Sequence, residues 1–185
     1  MNMPTSPEFL TARLRLDRLL PADATALYDY RSDANVARYQ GWWPTDLAQA
    51  EAFIATQSAQ DFGSPESWCQ LAIRDRDSSE LLGDLGIHFP GTTDDAIEFG
   101  VTLRPDRQGR GYAREALGKA IDLAFREWGY RRAVGSVDPR NAASMTLLRS
   151  LGFRQEAHHV ASYRFRGEWV DDVIFAMLAT EWRGT

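Results

Sequence analysis

Val101-Thr102-Leu103-Arg104-Pro105-Asp106-Arg107-Gln108-Gly109-Arg110-Gly111-Tyr112-Ala113 is the stretch from which the rest of the chain can be read. A run of strand character, Ala96 to Leu103, enters it. A helical stripe leaves it: Ala113, Ala116, Leu117, Ala120, Ile121, Ala124 and Trp128 fall on one face of a helix predicted over 109–128, which Gly129 stops. Gly109 and Gly111 permit left-handed backbone and close approach to a ligand. The first N–H groups of the helix have no intrahelical acceptor and sit at the positive end of its dipole, so the segment suits an anion such as a pyrophosphate. A plain strand-to-helix turn would use the same glycines. The dinucleotide and Walker-type readings fail, because neither G-x-G-x-x-G nor a Gly-Lys-Ser/Thr ending is present.

Outward from this centre the pattern continues in both directions. Before it, residues 9–18 alternate as one strand, with Leu10, Leu14 and Leu16 on one side. Helices are expected from Pro21 to Arg31 and from an N-cap at Thr45 to Gln60, flanking an aromatic loop with Tyr39, Trp42 and Trp43. Strands at 68–74 and 81–89 join the strand at 96–103 in an antiparallel meander, with a turn over 91–95. After the long helix come a strand at 133–137, a helix from Asn141 to Ser150, and strands at 153–165 and 170–178. This order is an α+β pattern in a single domain, with one parallel crossover through the long helix.

Composition narrows the class. The 185 residues are 44% hydrophobic and 25% charged, the balance of an ordinary globular protein. Residues 1–8 are short and polar, unlike a secretory signal, and no apolar run reaches the ~20 residues that a membrane span needs. The lone Cys69 excludes an internal disulfide and, with three histidines, offers no zinc set; it reads as a buried structural thiol in a cytoplasmic protein. A net charge of −5 argues against nucleic acid as partner and suits a cationic one.

Gln108-x-x-Gly111-x-Ala113 matches the acetyl-CoA signature of the GNAT N-acetyltransferase superfamily. Glu98-Phe99-Gly100, Asn141-x-x-Ser144, Leu151-Gly152-Phe153 and Gly167-Glu168-Trp169-Val170-Asp171 resemble its RimJ/RimL branch. The resemblance covers nearly the whole chain. It implies a mixed, mostly antiparallel sheet of about seven strands with helices on both faces. It also implies a splayed parallel strand pair at the acyl-CoA site. The donor would be acetyl-CoA and the acceptor a small-molecule or peptide amine, without metal; a homodimer is common among relatives.

By position, the resemblance assigns the backbone of Val101, Thr102 and Leu103 to the pantetheine arm. It assigns the amides of Gln108, Gly109, Arg110, Gly111, Tyr112 and Ala113 to the pyrophosphate, with charge from Arg107 or Arg110. Asn141 and Ser144 would face the sulfur and amide groups of the donor, or simply cap their helix. The tyrosine that many members use to protonate the thiolate is replaced by Leu148, which leaves Ser144 as the nearest family-matched hydroxyl. Glu98 is the expected base, against the alternative of pairing with an arginine; Asp84 and His88 stand behind it. Trp42, Trp43, Trp169 and Asp171, with its neighbour Asp172, are expected to border the acceptor. An α-amine with a pKa of about 7.7–8.0 needs less basic help than a lysine at about 10.4. The reading therefore leans toward a peptide N-terminus, with a polyamine, aminoglycoside or amino acid as the second class and a non-catalytic CoA-binding module as the third.

Overall fold

The computed structural model describes residue 3, residues 6–91 and residues 96–184. The expected turn over 91–95 therefore falls largely outside the described residues. Among the described residues eight strands form one sheet: β1 (Glu8–Leu10), β2 (Leu14–Arg18), β3 (Ser67–Asp75), β4 (Leu81–Phe89), β5 (Ala96–Leu103), β6 (Arg132–Val137), β7 (Arg154–Phe165) and β8 (Glu168–Leu178). Their order is β1-β2-β3-β4-β5-β6-β8-β7, and among these described strands only the β5–β6 pair is parallel.

The count exceeds the expected seven because residues 9–18 are two strands. Thr11 folds the chain back: its N–H bonds the carbonyl of Leu14 at 2.9 Å, and its hydroxyl oxygen accepts from the Leu14 N–H at 2.8 Å. Leu14 and Leu16 are buried as expected, but the reversal leaves Leu10 46% exposed. A period-2 pattern cannot report a hairpin so short that the alternation survives it.

Among the described residues five α-helices flank the sheet: α1 (Ala24–Arg31), α2 (Ala34–Ala37), α3 (Leu47–Ala59), α4 (Tyr112–Arg126) and α5 (Ala142–Ser150). On one face Leu117 and Ile121 of α4 and Leu148 of α5 close over Leu16, Leu71 and Ile87. On the other, Leu27 of α1 and Ile54 of α3 cover Ala72 and Leu81. The start of α3 differs from the sequence expectation. Asp46 is its N-cap, accepting from the Gln49 N–H at 2.9 Å, whereas the Thr45 hydroxyl takes the Gln49 side-chain amide at 2.7 Å. An ionised carboxylate is the stronger acceptor for an orphan N–H, so the cap falls one residue later. α2, capped by Asp33, is one turn that helical periodicity could not reveal.

The feature that positions the site is the parallel pair. Its register runs from Ala96↔Arg132 to Glu98↔Val134 and stops, although β5 continues to Leu103 and β6 to Val137. Beyond Glu98 the two strands part. The β5 backbone from Gly100 onward then lacks a strand partner on that side, leaving main-chain groups that an extended ligand could satisfy.

Candidate active site

The wedge between β5 and β6 opens into a cleft of about 690 Å³, bounded by the end of β5, the start of α4, the start of α5 and residues of α2. Val101, Thr102, Leu103, Gln108, Gly109, Gly111, Tyr112, Ala113, Asn141 and Ser144 all line it. A deeper slot of about 140 Å³ continues between the parted strands, past Gly100, Gly135 and Ser136. Asn141, Ser144, Val101 and Tyr39 border both spaces.

At the head of the cleft, Gly109 (φ 70°) and Gly111 (φ 81°) are left-handed. Gly111 is the N-cap of α4 and supplies no side-chain cap, so the first N–H groups of the helix face the cleft rather than a hydroxyl or carboxylate of their own turn. The only carboxylate in that first turn is Glu115, and it is turned away. It accepts from the Thr11 hydroxyl at 2.6 Å, the Arg13 N–H at 2.8 Å and Arg13 Nε at 2.7 Å. Arg13 also donates to the carbonyl of Arg110 at 3.1 Å and lies 4.6 Å over the Tyr112 ring. It thereby holds the glycine turn from behind, a role the sequence reading did not give it. Gln108 braces the other end, its amide donating to the Leu103 carbonyl at 3.0 Å. Arg107 and Arg110 are not among the lining residues. The Arg107 guanidinium pairs with Glu80 at 2.7 Å and Asp106 at 3.3 Å, and the arginine that lines the cleft, beside the backbone of the α4 start, is Arg114.

At the mouth of the slot, Asn141 Oδ1 caps α5 by accepting from the Ser144 N–H at 3.1 Å. Leu148 lies buried against Gly135, so an aliphatic side chain and no hydroxyl occupies this position. Tyr39 approaches from the opposite wall, its hydroxyl donating to the Arg140 carbonyl at 3.1 Å. Sequence reading placed Tyr39 only in an aromatic loop. Its position depends on a buried network. Asp84 accepts from the Tyr30 hydroxyl at 2.7 Å and is ion-paired with Arg31, which reaches on to Gln40 Oε1 at 3.2 Å. Burial is the main cause of the strong rise in the Tyr30 pKa, followed by the Asp84 charge. Enclosed this way, Asp84 has no path to a substrate proton.

Glu98 sits at the last β5 position paired with β6, half-buried. Burial pushes its carboxyl pKa up, and the negative charge of Asp172 adds to this, opposed by a hydrogen bond from the Ser136 backbone N–H. The Ser136 hydroxyl donates to Asp172 at 2.7 Å. Asp171, one residue earlier, points to the other side of the sheet, as successive strand residues must, and pairs with His158 at 2.7 Å. The Asp171–Asp172 pair is thus divided, and Asp172 is the member beside Glu98.

The aromatic residues expected at the acceptor are dispersed. Trp42 stacks on Phe53 at 4.2 Å between ring centroids. Trp43 is covered by the Arg166 guanidinium at 3.8 Å, and Arg166 also donates to the Ala37 carbonyl, tying the β7–β8 turn to the loop. Trp169 is 65% exposed on β8. None of the three, nor Asp171, borders the two spaces described.

A strand pair that parts beside an uncapped helix start accords with what comparison with known proteins finds. The acetyltransferase (GNAT) domain model matches residues 13–154. The chain belongs to the GNAT acetyltransferase family. Among relatives of this acetyltransferase, the uncharacterized N-acetyltransferase p20 of Bacillus licheniformis is 30% identical over 175 residues, covering 94% of this chain and 97% of p20. The ribosomal protein uS5-alanine N-acetyltransferase of Escherichia coli is 27% identical over 145 residues, 78% of this chain and 70% of that one. A GNAT-family acetyltransferase from Bacillus anthracis shares the fold with a TM-score of 0.84 at 21% identity, covering 95% and 100% of the two chains. Spermidine N-acetyltransferase from Vibrio cholerae, solved with CoA and spermine, gives 0.77 at 19% identity, covering 92% and 98%. This acetyltransferase is an enzyme that transfers an acetyl group to an amine, and its relatives support the RimJ-like branch. Among the described residues no helix is long and apolar enough to cross a membrane.

Proposed function

We propose that this acetyltransferase takes acetyl-CoA in the larger cleft, with the pyrophosphate on the α4 start and the pantetheine arm along Val101 to Leu103. The acetyl group would then sit at the slot mouth and pass directly to a peptide α-amine. The observation that carries the reading is the parting of β5 and β6 after Glu98, next to a helix start whose N-cap is a left-handed glycine. The donor fits this site on chemical grounds: unpaired main-chain groups for an amide-bearing arm and unsatisfied N–H groups for a diphosphate.

The residues have distinct work. A backbone N–H in Val101–Leu103 stabilises the oxygen on which negative charge develops, an interaction whose loss costs about 10²–10³ in rate. Glu98, whose carboxyl pKa burial raises above the ordinary value, takes the proton from the amine in its ionised form. Ser144, bordering both cleft and slot, returns one to the departing sulfur. A carboxylate base suits an amine already part neutral near pH 7.5, since an α-amine ionises at about 7.7–8.0. The acidic pair Glu98 and Asp172 also supports a second reading, a polyamine acceptor held by its other cationic nitrogen.

The test is thiol release from acetyl-CoA against peptide N-termini, lysine peptides, polyamines and aminoglycosides, with Glu98→Gln alongside. Turnover of α-amine peptides that collapses in the variant is expected. Lysine peptides outperforming α-amine peptides would sink the proposed acceptor, and tight donor binding with no transfer to any amine would favour a CoA-binding module.

A further inference from the structure

The face of β3, β4 and β5 turned toward α1 and α3 is built in rows. The register pairs Trp68 with His88 and His88 with Glu98; Gln70 with Gly86 and Gly86 with Gly100; Ala72 with Asp84 and Asp84 with Thr102. Directly paired residues share a face, and neighbouring strands lie about 4.8 Å apart, so each row reads across the sheet in that order.

The three rows differ in what they present. The Asp84 row is closed beneath Tyr30 and Arg31. The Trp68 row sets an indole, an imidazole and a carboxylate side by side; the Trp68 and His88 rings are 5.2 Å apart, and Trp68 is 43% exposed. Between them, the middle row carries two glycines. A Cβ on Gly86 would meet Gln70 Oε1 at 3.0 Å and Trp68 Cε3 and Cζ3 at 3.3 Å, so the Gln70 amide and the edge of the indole lie over Gly86. A Cβ on Gly100 would meet nothing within 4 Å. Gly100 is exposed and borders the slot between the parted strands. Gly100 thus presents open backbone beside the slot, which Glu98 and Trp68 do not themselves line, with Glu98 two residues along the same strand and the indole over the neighbouring strand.

We infer that Trp68 sets acceptor specificity: the reacting nitrogen lies over Gly100, and the apolar group on its neighbouring carbon rests on the Trp68 indole. This rests on the reading that Glu98 faces the amine. A flat apolar surface next to a carboxylate fits a primary amine whose adjacent carbon bears an aliphatic or aromatic group. The substrate class is a peptide N-terminus with an apolar first residue. A polyhydroxylated amine would set hydroxyls against the indole without partners, a desolvation cost with no return. The indole is the large apolar ring on these three rows, whereas Trp42 and Trp43 are occupied by Phe53 and Arg166.

The test uses peptides identical except for a first residue of Gly, Ala, Leu or Phe, with spermidine beside them. They are assayed by thiol release and by calorimetric binding to the CoA-bound protein. The wild type is expected to favour Leu or Phe over Gly by about tenfold, mainly through KM, as burial of an apolar side chain would give. Trp68→Ala brings that ratio within about threefold, and Trp68→Phe restores most of it. Gly100→Ala, which adds a methyl into open space, keeps the melting temperature and lowers kcat/KM for every peptide. Glu98→Gln lowers kcat throughout while the Leu-to-Gly binding ratio stays as in the wild type, which separates failure of the base from failure of the indole surface. A wild type with no first-residue preference in either assay, an unchanged preference in folded Trp68→Ala, or spermidine as the best acceptor overturns the inference.

Discussion

Glu98 and Asp172 are joined through a single residue: the Ser136 backbone N–H serves Glu98, and the Ser136 hydroxyl donates to Asp172 at 2.7 Å. Two carboxylates thus meet across the place where β5 and β6 begin to part. Ser136 belongs to β6 and Asp172 to β8, so the environment of the proposed base is assembled from three strands far apart in sequence.

The pH dependence follows from this arrangement. A base works when ionised, so activity rises with pH through the Glu98 pKa, which burial and then Asp172 hold above the ordinary carboxylate value. Asp172→Asn removes a neighbouring negative charge, makes ionisation easier and moves that acid limb to lower pH. The α-amine adds its own ionisation near about 7.7–8.0, common to both proteins, so the lower limb is the one to compare. Glu98→Gln should abolish it and reduce kcat by about 10²–10⁴. An acid limb at the same pH in Asp172→Asn would remove Asp172 from the account.

Gly111 is positioned for the donor by its backbone alone. An L-residue in its left-handed conformation costs about 1–2 kcal/mol, and a Cβ there would lie 3.4 Å from the Arg13 guanidinium. Gly111→Ala is expected to weaken CoA binding by about tenfold or more, as measured by calorimetry, since displacing N–H groups from the diphosphate loses at least one such factor. An unchanged Kd would place the diphosphate elsewhere.

Ser144 and Tyr39 both border the slot, and their removal should separate the two. With Ser144 as the acid, Ser144→Ala lowers kcat by about 10². Tyr39→Phe, which loses one hydrogen bond to the Arg140 carbonyl, lowers it by less than about tenfold. Single-turnover rates in the reverse order would move the acid role to Tyr39.

Arg31 supports the site from beneath. Asp84 is completely buried, so Arg31→Met strands its charge and is expected to cost about 3–5 kcal/mol of stability. Thermal unfolding would register this as about 2–4 °C per kcal/mol. Because Arg31 also holds Gln40, the variant should raise KM for donor and acceptor at temperatures where it remains folded.

The sequence by itself determined the parts that depend on local rules. The strand, glycine turn and helix around Gly111 were legible because left-handed backbone and helix periodicity are written in adjacent residues. The stripe of Leu117, Ile121 and Ala124 indicated which face of α4 is buried, and Asn141 announced the start of α5 as its cap. What only the tertiary structure decided is which side chains meet across strands. Alternation could not reveal that residues 9–18 turn back at Thr11, because the Thr11 hydroxyl that helps secure the turn donates to Glu115, about a hundred positions away. Trp42 and Trp43 looked available in a loop and are covered by Phe53 and Arg166, whereas Trp68 looked like an ordinary strand residue and lies open above Gly86. Asp171 and Asp172 are adjacent in sequence yet face opposite sides of the sheet. Register, set by the packing of the whole sheet, chose the one that stands beside Glu98.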